Sequence, residues 1–217
     1  RYLKDLSRFL VPGQRTAAVV MNANPFTLGH RHLLARASEE NDAVRCFVVS
    51  EDISLVPFPA RLSLVKAGSA HLPNVTVHPS GSYIISSATF PSYFLKEERL
   101  VTEAQARLDI EVFARIAKAM GIVRRYIGEE PFSEITRIYN GVMQQYLPAH
   151  GIDCVLIPRK AEGGAAISAS EVRQRLHDGD VESIRPLVPE TTYAYFLTEE
   201  GRQTIRRIRE AERVRHD

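Results

Sequence analysis

The chain has 217 residues, of which 28 are Lys or Arg and 26 are Asp or Glu, giving a formal net charge of +2. With 44% hydrophobic and 25% charged residues, 12 Gly, 12 Pro and 2 Cys, this average composition excludes a collagen-like, disordered or disulfide-bonded protein. Because the net charge is small and no apolar stretch approaches the roughly 20 residues of a membrane span, we expect a cytoplasmic protein that binds neither nucleic acid nor membrane.

Short apolar runs alternate with helical patterns from Thr16 onward. The strand-like runs cover residues 17–22, 44–50, 75–78, 123–128 and 154–158, and most are almost continuously apolar, as in strands covered on both faces. Apolar residues three and four apart predict the intervening helices at residues 28–40, 59–71, 104–120 and 134–146. This alternation predicts an α/β fold with a Rossmann-like, doubly wound, five-stranded parallel sheet.

We expect three parts along the chain. Residues 1–15 form a short linker segment that ends in a turn, residues 16–187 the main domain, and residues 188–217 a C-terminal helical extension. Helical patterns after the fifth strand cover residues 170–177, 181–184, 190–196 and 198–215. Cys46 and Cys154 lie in apolar runs without metal-ligand spacing, so we expect both to be core residues.

The connection over residues 79–102 is too long for an ordinary turn and is rich in Ser, Tyr and Phe. Long ordered loops in compact domains are usually functional, so it is a candidate substrate-binding segment.

The loop after the first strand reads MNANPFTLGH. Neither GxGxxG nor GxxxxGK[ST] occurs in the chain, which argues against a dinucleotide oxidoreductase and a P-loop NTPase. Thr27, Gly29 and His30 instead open a helix, whose unpaired N–H groups and positive dipole end attract phosphate. Gly29 allows a ligand to approach closely and His30 adds a donor, although a capping Thr with an incidental His would also explain this motif alone.

A second cluster, ISASEVR at residues 167–173, follows the fifth strand and the Arg159-Lys160 pair. It gathers hydroxyls, backbone N–H groups and an arginine where the next helix begins. An ordinary N-cap would explain one of its serines. It would not explain the pairing with the first motif.

Together the two motifs resemble those of the HxGH nucleotidylyltransferase superfamily, in which a [HT]xGH loop and an ISSTxxR-like segment hold the phosphates of ATP. The wider match resembles the citrate lyase ligase family over roughly residues 12–196, through NPFTLGHRHL, FPARLSLVKAG, LPNVTVHPSGSYIISSATFPSYFLKE, YIGEEPFSEITRIYN and IPRKAEGGAAISASEVRQ. Two departures from the family pattern are Ala169, where Ser is common, and the lack of the usual upstream acetyltransferase-like domain.

The resemblance implies a nucleotidylyltransferase-like catalytic domain acting as an acid–thiol ligase. ATP and acetate would give acetyl-adenylate and pyrophosphate, and the acetyl group would pass to the thiol of the prosthetic group on the citrate lyase acyl carrier protein. Mg²⁺ would arrive with ATP, without a dedicated protein metal site.

The resemblance also assigns candidate site residues. The expected catalytic residues are Thr27, His30 and Lys160. The expected ATP-binding residues are Asn22, Asn24, Phe26, Gly29, Gly128, Glu130, Ile167, Ser168, Ser170 and Arg173. The expected substrate-loop residues are Tyr83, Ser86, Thr89 and Phe90.

Several roles stay open at this stage. Lys160 could be an ordinary surface residue, and Asn22 and Asn24 could fix the loop or touch the ribose. Arg61 could guide phosphate or pair with a carboxylate, and His32 lacks metal-ligand spacing with His30.

Two other functions compete with a ligase. An adenylyltransferase would move AMP onto a phosphate-bearing acceptor such as phosphopantetheine, but residues 83–95 contain no Lys or Arg to meet that phosphate. A nucleotide-sensing module without turnover is disfavoured by the complete set of motif residues. The arginine-rich C-terminal helix is either a solvated face or a docking surface for an acidic carrier protein; its arginines are Arg202, Arg206, Arg207, Arg209, Arg213 and Arg215.

Overall fold

Five parallel strands form the central sheet of the computed structural model, which describes residues 2–91, 99–130, 133–162 and 165–211. The strands are β1 (Thr16–Met21), β2 (Ala43–Val48), β3 (Val75–Pro79), β4 (Ile122–Gly128) and β5 (Asp153–Ile157). Their order is β3-β2-β1-β4-β5, and each neighbouring pair is parallel. The predicted fold class is confirmed.

Eight α-helices surround the sheet in the described part of the chain. They are α1 (Tyr2–Ser7), α2 (Leu28–Glu40), α3 (Phe58–Gly68), α4 (Arg99–Met120), α5 (Glu134–Tyr146), α6 (Ala169–His177), α7 (Glu190–Leu197) and α8 (Glu199–Glu210). Within the described ranges, none of these helices is both long and apolar enough to span a membrane.

Some predicted helix bounds differ from the structure. Helix α3 ends three residues early, where the Ser69 hydroxyl donates to the Val65 carbonyl and the Ser69 N–H also caps the last turn. The predicted helix at residues 181–184 is a 3-10 helix, Glu182–Leu187, which contains Pro186. A small antiparallel pair, β6 (Ala161–Glu162) and β7 (Ala165–Ala166), was not predicted. The end of the predicted last helix, residues 212–217, lies outside the described residues.

Two apolar clusters cover the two faces of the sheet. Ala17, Val19 and Met21 of β1 pack on one face with α2 and α3, whereas Ala18 packs on the other with α4 and α5. This division explains why the central strands are continuously apolar, since successive side chains point to opposite faces. Cys46 is buried in the first of these clusters, and burial raises the pKa of its thiol to about 12.

The segments at both ends of the described chain pack onto this core. In the N-terminal segment, Leu6 is buried and Tyr2 stacks on Tyr83 with ring centroids 4.1 Å apart. The Phe9 carbonyl accepts a hydrogen bond from Arg45. At the other end, one apolar cluster includes residues of α6, α7 and α8 and crosses the predicted boundary between residues 187 and 188.

The strand order places the candidate site. The chain runs outward from β1 to β3 and returns to the other side of β1 with β4. In such sheets, ligands bind beyond the carboxyl ends of the strands where the order reverses. The segments that follow β1, β4 and β5 all emerge at this edge.

Candidate functional site

His30 is fixed by a capping box at the start of α2. The Thr27 hydroxyl accepts a hydrogen bond from the His30 N–H at 3.3 Å, and the Nδ1 atom of His30 accepts one from the Thr27 N–H at 3.1 Å. The Thr27 Oγ1 atom lies 2.9 Å from the same Nδ1, close enough to donate its proton. Because Nδ1 is the acceptor in these contacts, we assign the proton of the neutral ring to Nε2. His30 can therefore donate through Nε2 to an anion.

The surroundings of His30 keep its ring neutral. The ring stacks on Phe26 with centroids 5.8 Å apart, and Phe26 is itself fully buried. Phe26 needs the glycine at position 68, because a Cβ there would lie 2.6 Å from a Phe26 ring carbon. Burial, followed by the nearby positive charge of Arg159, lowers the pKa of His30 from 6.5 to about 4. No acidic residue occupies the first turn of α2.

Asn22 and Asn24 hold the loop that leads to this helix. The Asn22 side chain donates to Ser54 and accepts from the buried Arg61, while the Asn24 side chain accepts from the Val56 N–H at 2.9 Å. These contacts favour loop fixing over the ribose contact that the sequence left open. The phosphate or carboxylate contact expected for Arg61 stays a prediction, and its described hydrogen bonds go mainly to backbone carbonyls. Those carbonyls belong to Asn22, Val49, Glu51 and Val56.

The second motif meets the first at the start of α6. Ser168 caps this helix by accepting from the Glu171 N–H at 3.1 Å, and its hydroxyl lies 3.2 Å from that of Ser170. A Cβ on Gly29 would lie 3.3 Å from the Ile167 carbonyl oxygen, so the two motifs touch at this glycine. The N-termini of α2 and α6 thus lie side by side.

Arg173 lies in the protein interior and connects the two motifs. It is fully buried, and its guanidinium donates to the Asn24 carbonyl. The structure therefore gives Arg173 a role in joining α6 to the first loop. A direct contact with ATP stays a prediction.

The segments after β4 and β5 are joined by an arginine that sequence reasoning did not single out. Arg159 forms an ion pair with Glu130 at 2.6 Å and donates to the Glu129 carbonyl at 2.7 Å. Next to this pair, a Cβ on Gly128 would meet no atom within 4 Å, so the end of β4 is open above its backbone. The signal that could have identified Arg159 is its place directly after the fifth strand, next to Lys160.

Lys160, the residue after Arg159, lies in a different environment. It lines a cleft of about 380 Å³ with Leu28, Arg31, His32 and Ala35 of α2 and with His71. The structure therefore brings Lys160 next to the start of α2, but against a face of that helix that the sequence analysis did not assign to the site.

The predicted substrate-loop residues are mostly interior. Ser86, Thr89 and Phe90 are buried, whereas Tyr83 is exposed and stacks on Tyr2. The Thr89 hydroxyl donates to Asp109 at 2.8 Å, and Phe90 packs against the Tyr139 ring at 5.1 Å. In the described structure these three buried side chains anchor the loop, and their predicted contact with substrate stays a prediction. The remainder of the connection, residues 92–98, lies outside the described residues.

A buried polar network under this loop was not predicted from sequence. Asp109 accepts from the Ile85 N–H at 2.6 Å and from the Tyr139 hydroxyl at 2.5 Å, and Arg125 donates to the same hydroxyl at 3.1 Å. Burial raises the pKa of Asp109, although its hydrogen bonds and Arg125 act in the opposite direction. The network ties the loop to α4, α5 and β4.

Comparison with known proteins is consistent with this geometry. Residues 16–196 match the citrate lyase ligase C-terminal domain. The chain is similar to a citrate lyase ligase of Escherichia coli (strain K12), with 42% identity over 211 residues that make up 94% of this chain and 60% of that protein. It therefore spans about three fifths of that relative's length.

Two solved structures share the fold at low identity. Pantoate-beta-alanine ligase from Francisella tularensis, complexed with beta-gamma ATP and beta-alanine, gives a TM-score of 0.52 at 15% identity, covering 95% of this chain and 84% of that one. Thermotoga maritima TmcAL bound with alpha-thio ATP gives 0.56 at 14% identity, covering 88% and 57%. These likenesses concern the fold alone.

Proposed function

The chain belongs to the citrate lyase ligase family, and from this membership we propose that it adenylates acetate with ATP and passes the acetyl group to a thiol. The thiol is that of the prosthetic group on the citrate lyase acyl carrier protein, and the reaction takes place in the cytoplasm. The observation that carries the proposal is the contact between the Gly29 and Ile167 backbones, which sets two helix N-termini beside His30.

This arrangement supports a binding site for the triphosphate of ATP. The N-termini of α2 and α6 offer backbone N–H groups and positive dipole ends to phosphate. His30 adds an Nε2 donor, and the hydroxyls of Thr27, Ser168 and Ser170 lie in the same two helix starts. The open space above Gly128 would admit the adenine base, and we expect Glu130, two residues along the chain, to contact it.

The first reaction needs no proton transfer, because acetate is already ionised at neutral pH. A carboxylate oxygen of acetate attacks the α-phosphorus and forms a new O–P bond. The bond from that phosphorus to the bridging oxygen breaks, and pyrophosphate leaves with the electron pair. His30 and Lys160 stabilise the charge that develops on the phosphate oxygens, and each well-placed donor is worth about 3 kcal/mol.

Mg²⁺ belongs to the substrate in this proposal. Among the residues that the structure describes, no three His, Cys, Asp or Glu side chains form a group that could hold a metal ion. We assign the ion to the phosphates and water, where it would neutralise charge on the leaving pyrophosphate.

In the second reaction, the sulfur of the carrier thiol attacks the acetyl carbonyl carbon. A C–S bond forms, the C–O bond to AMP breaks, and AMP leaves as the thiol proton passes to water. This step gives the acetyl thioester.

The test is the exchange of labelled pyrophosphate into ATP, measured with acetate and, separately, with phosphopantetheine. The ligase proposal expects exchange that depends on acetate alone. Exchange that requires phosphopantetheine would contradict the ligase proposal and indicate an adenylyltransferase instead. A suitable control is His150→Ala, which removes a surface histidine paired with Glu111 and remote in sequence from both motifs.

A further inference from the structure

The cleft next to the start of α2 is built from one face of that helix. Leu28, Arg31, His32 and Ala35 follow the spacing i, i+3, i+4 and i+7, which places them on a single side. His71, beyond the end of α3, and Lys160, beyond the end of β5, complete the lining. Its volume of about 380 Å³ lies in the range of small-molecule pockets.

The cleft carries an excess of nitrogen donors. Arg31 and Lys160 are cations, and His32 and His71 add imidazole nitrogens. No Asp or Glu is among the described side chains that line it. The side chains of these four residues make no hydrogen bond or ion pair with the described part of the protein. The N-terminal half of α2 adds the positive end of its dipole.

We propose that this cleft is a further phosphate-binding subsite, which adjoins the phosphate contacts proposed for Thr27, His30 and Ser168 and shares Lys160 with them. Arg31 and Lys160 supply charge, while His32 of α2 and His71, beyond the end of α3, supply further donors. The choice of ligand rests on the proposed function, which brings two phosphate-bearing molecules to this edge of the sheet. They are ATP, through its pyrophosphate end, and the prosthetic group that bears the thiol, which family membership implies is derived from dephospho-coenzyme A and carries phosphates.

The direct test measures the binding of inorganic pyrophosphate by calorimetry. The double variant Arg31→Gln/His71→Ala removes one cation and one imidazole without touching Lys160 or either sequence motif. We expect it to bind pyrophosphate about tenfold more weakly, or with one fewer site, since hydrogen bonds to charged groups are among the stronger ones.

The matched control is Arg36→Gln/His150→Ala, which makes the same two changes outside the cleft. Arg36 lies on the same helix and pairs with Glu40, and His150 pairs with Glu111. We expect this control to bind pyrophosphate like the unmodified protein. Thermal melting of both variants checks that each is folded. Equal affinity and stoichiometry in the cleft variant and the control would overturn the subsite.

Two further ligands distinguish the sources of phosphate. Weaker binding of ATP to the cleft variant would assign the cleft to the pyrophosphate end. Weaker binding of dephospho-coenzyme A, with pantetheine unaffected, would assign it to the acceptor arm. A loss confined to inorganic pyrophosphate would overturn the cleft as a substrate subsite. These measurements do not depend on turnover, so the absence of acetate-dependent exchange would refute the proposed function and leave the cleft to be judged on binding.

Discussion

His30 is the single residue whose geometry most constrains the chemistry. Replacing it with Ala removes the Nε2 donor, so we expect acetate-dependent ATP–pyrophosphate exchange to fall about 100-fold or more. The same change removes the acceptor of the Thr27 N–H and weakens the capping box, at a cost of about 1 kcal/mol in the free energy of unfolding. His30→Asn keeps a donor and should retain part of the activity.

Exchange rates and urea denaturation together separate these effects. The Ala variant should remain folded at room temperature while losing exchange. A variant that turned over at the unmodified rate would show that His30 does not donate to the reacting phosphates.

A second prediction concerns the effect of Arg159 on the pKa of His30. Its charge disfavours the protonated form of His30, so Arg159→Gln should raise the pKa of His30 from about 4. The pKa should stay below 6.5, because burial is the larger cause and remains. The pKa is measured by NMR titration of the imidazole ring.

His78 serves as an internal reference in the same titration. Its pKa is lowered to about 4 by burial and then by Arg45, Arg8 and Lys66, none of which the substitution changes. A shift of both histidines would indicate a general structural change, and a shift of neither would remove Arg159 from the electrostatics of His30.

At the scale of elements, the sequence predicts what local periodicity controls. Helices α2 and α5 have the predicted bounds, and the five strands of the sheet begin and end within two residues of their predicted bounds. Each central strand is covered on both faces, so its apolar run carries a clear signal. The two helices have capping side chains, Thr27 and Ser133, at their starts.

The contacts that the sequence did not predict join residues far apart in the chain. Asp109 reaches Ile85 and Tyr139 across 24 and 30 positions, and Arg159 reaches Glu130 across 29. Such pairings depend on how helices and loops pack, and local patterns carry no information about them. For the same reason, the buried positions of Ser86 and Thr89 could not be distinguished from a substrate-facing arrangement.

Replacing Gly201 and Gly141 with Ala should have opposite effects on stability, because the two glycines differ in how closely other atoms pack around them. A Cβ on Gly201 would lie 2.0 Å from the Tyr195 carbonyl oxygen, so Gly201→Ala must push α8 away from the end of α7. We expect it to lower the free energy of unfolding by about 1 to 3 kcal/mol. A Cβ on Gly141, within α5, would meet nothing within 4 Å, so Gly141→Ala should stabilise by up to about 1 kcal/mol.

Urea denaturation of the two variants provides the measurement. Since both exchange Gly for Ala within a helix, intrinsic helix propensity favours Ala in each, and only the packing differs. Stabilisation of both would contradict the close approach of α7 and α8.

At the scale of the whole molecule, the sheet brings distant segments to one edge. The loop after β1, the end of β4 and the segment after β5 are far apart in sequence, yet Gly29 meets Ile167 and Arg159 meets Glu130 there. The apolar cluster that joins α6 to α7 and α8 holds Ile167 from behind. The candidate site therefore depends on the packing of the C-terminal helices, although these helices supply none of its predicted residues beyond α6.

The pH dependence of global stability follows from two histidines on this scaffold. His30 and His78 each have a folded-state pKa of about 4, whereas a histidine in the unfolded chain titrates near 6.5. Between these two pH values the unfolded chain binds more protons than the folded protein. The contribution of the two histidines to the free energy of unfolding is therefore fully present above pH 6.5 and is lost as the pH falls towards 4. His30 should cost up to about 2 kcal/mol at pH 5, and the half-buried His78 should cost less, because solvent screens its charge.

Urea denaturation at about pH 7 and pH 5 measures this loss, and His78→Gln tests its origin. His78 packs edge-on to Phe9 with ring centroids 4.7 Å apart, and its Nε2 lies 3.0 Å from the Thr76 hydroxyl. Gln is uncharged at both pH values and keeps polar atoms for Thr76, so the variant should lose less stability on acidification than the unmodified protein. Carboxylates such as Glu40, whose pKa is lowered mainly by its hydrogen bond from Tyr126, contribute to both proteins alike, so the difference between the two losses reports His78. An undiminished loss in the variant would place the pH sensitivity elsewhere, with His30 as the next residue to replace.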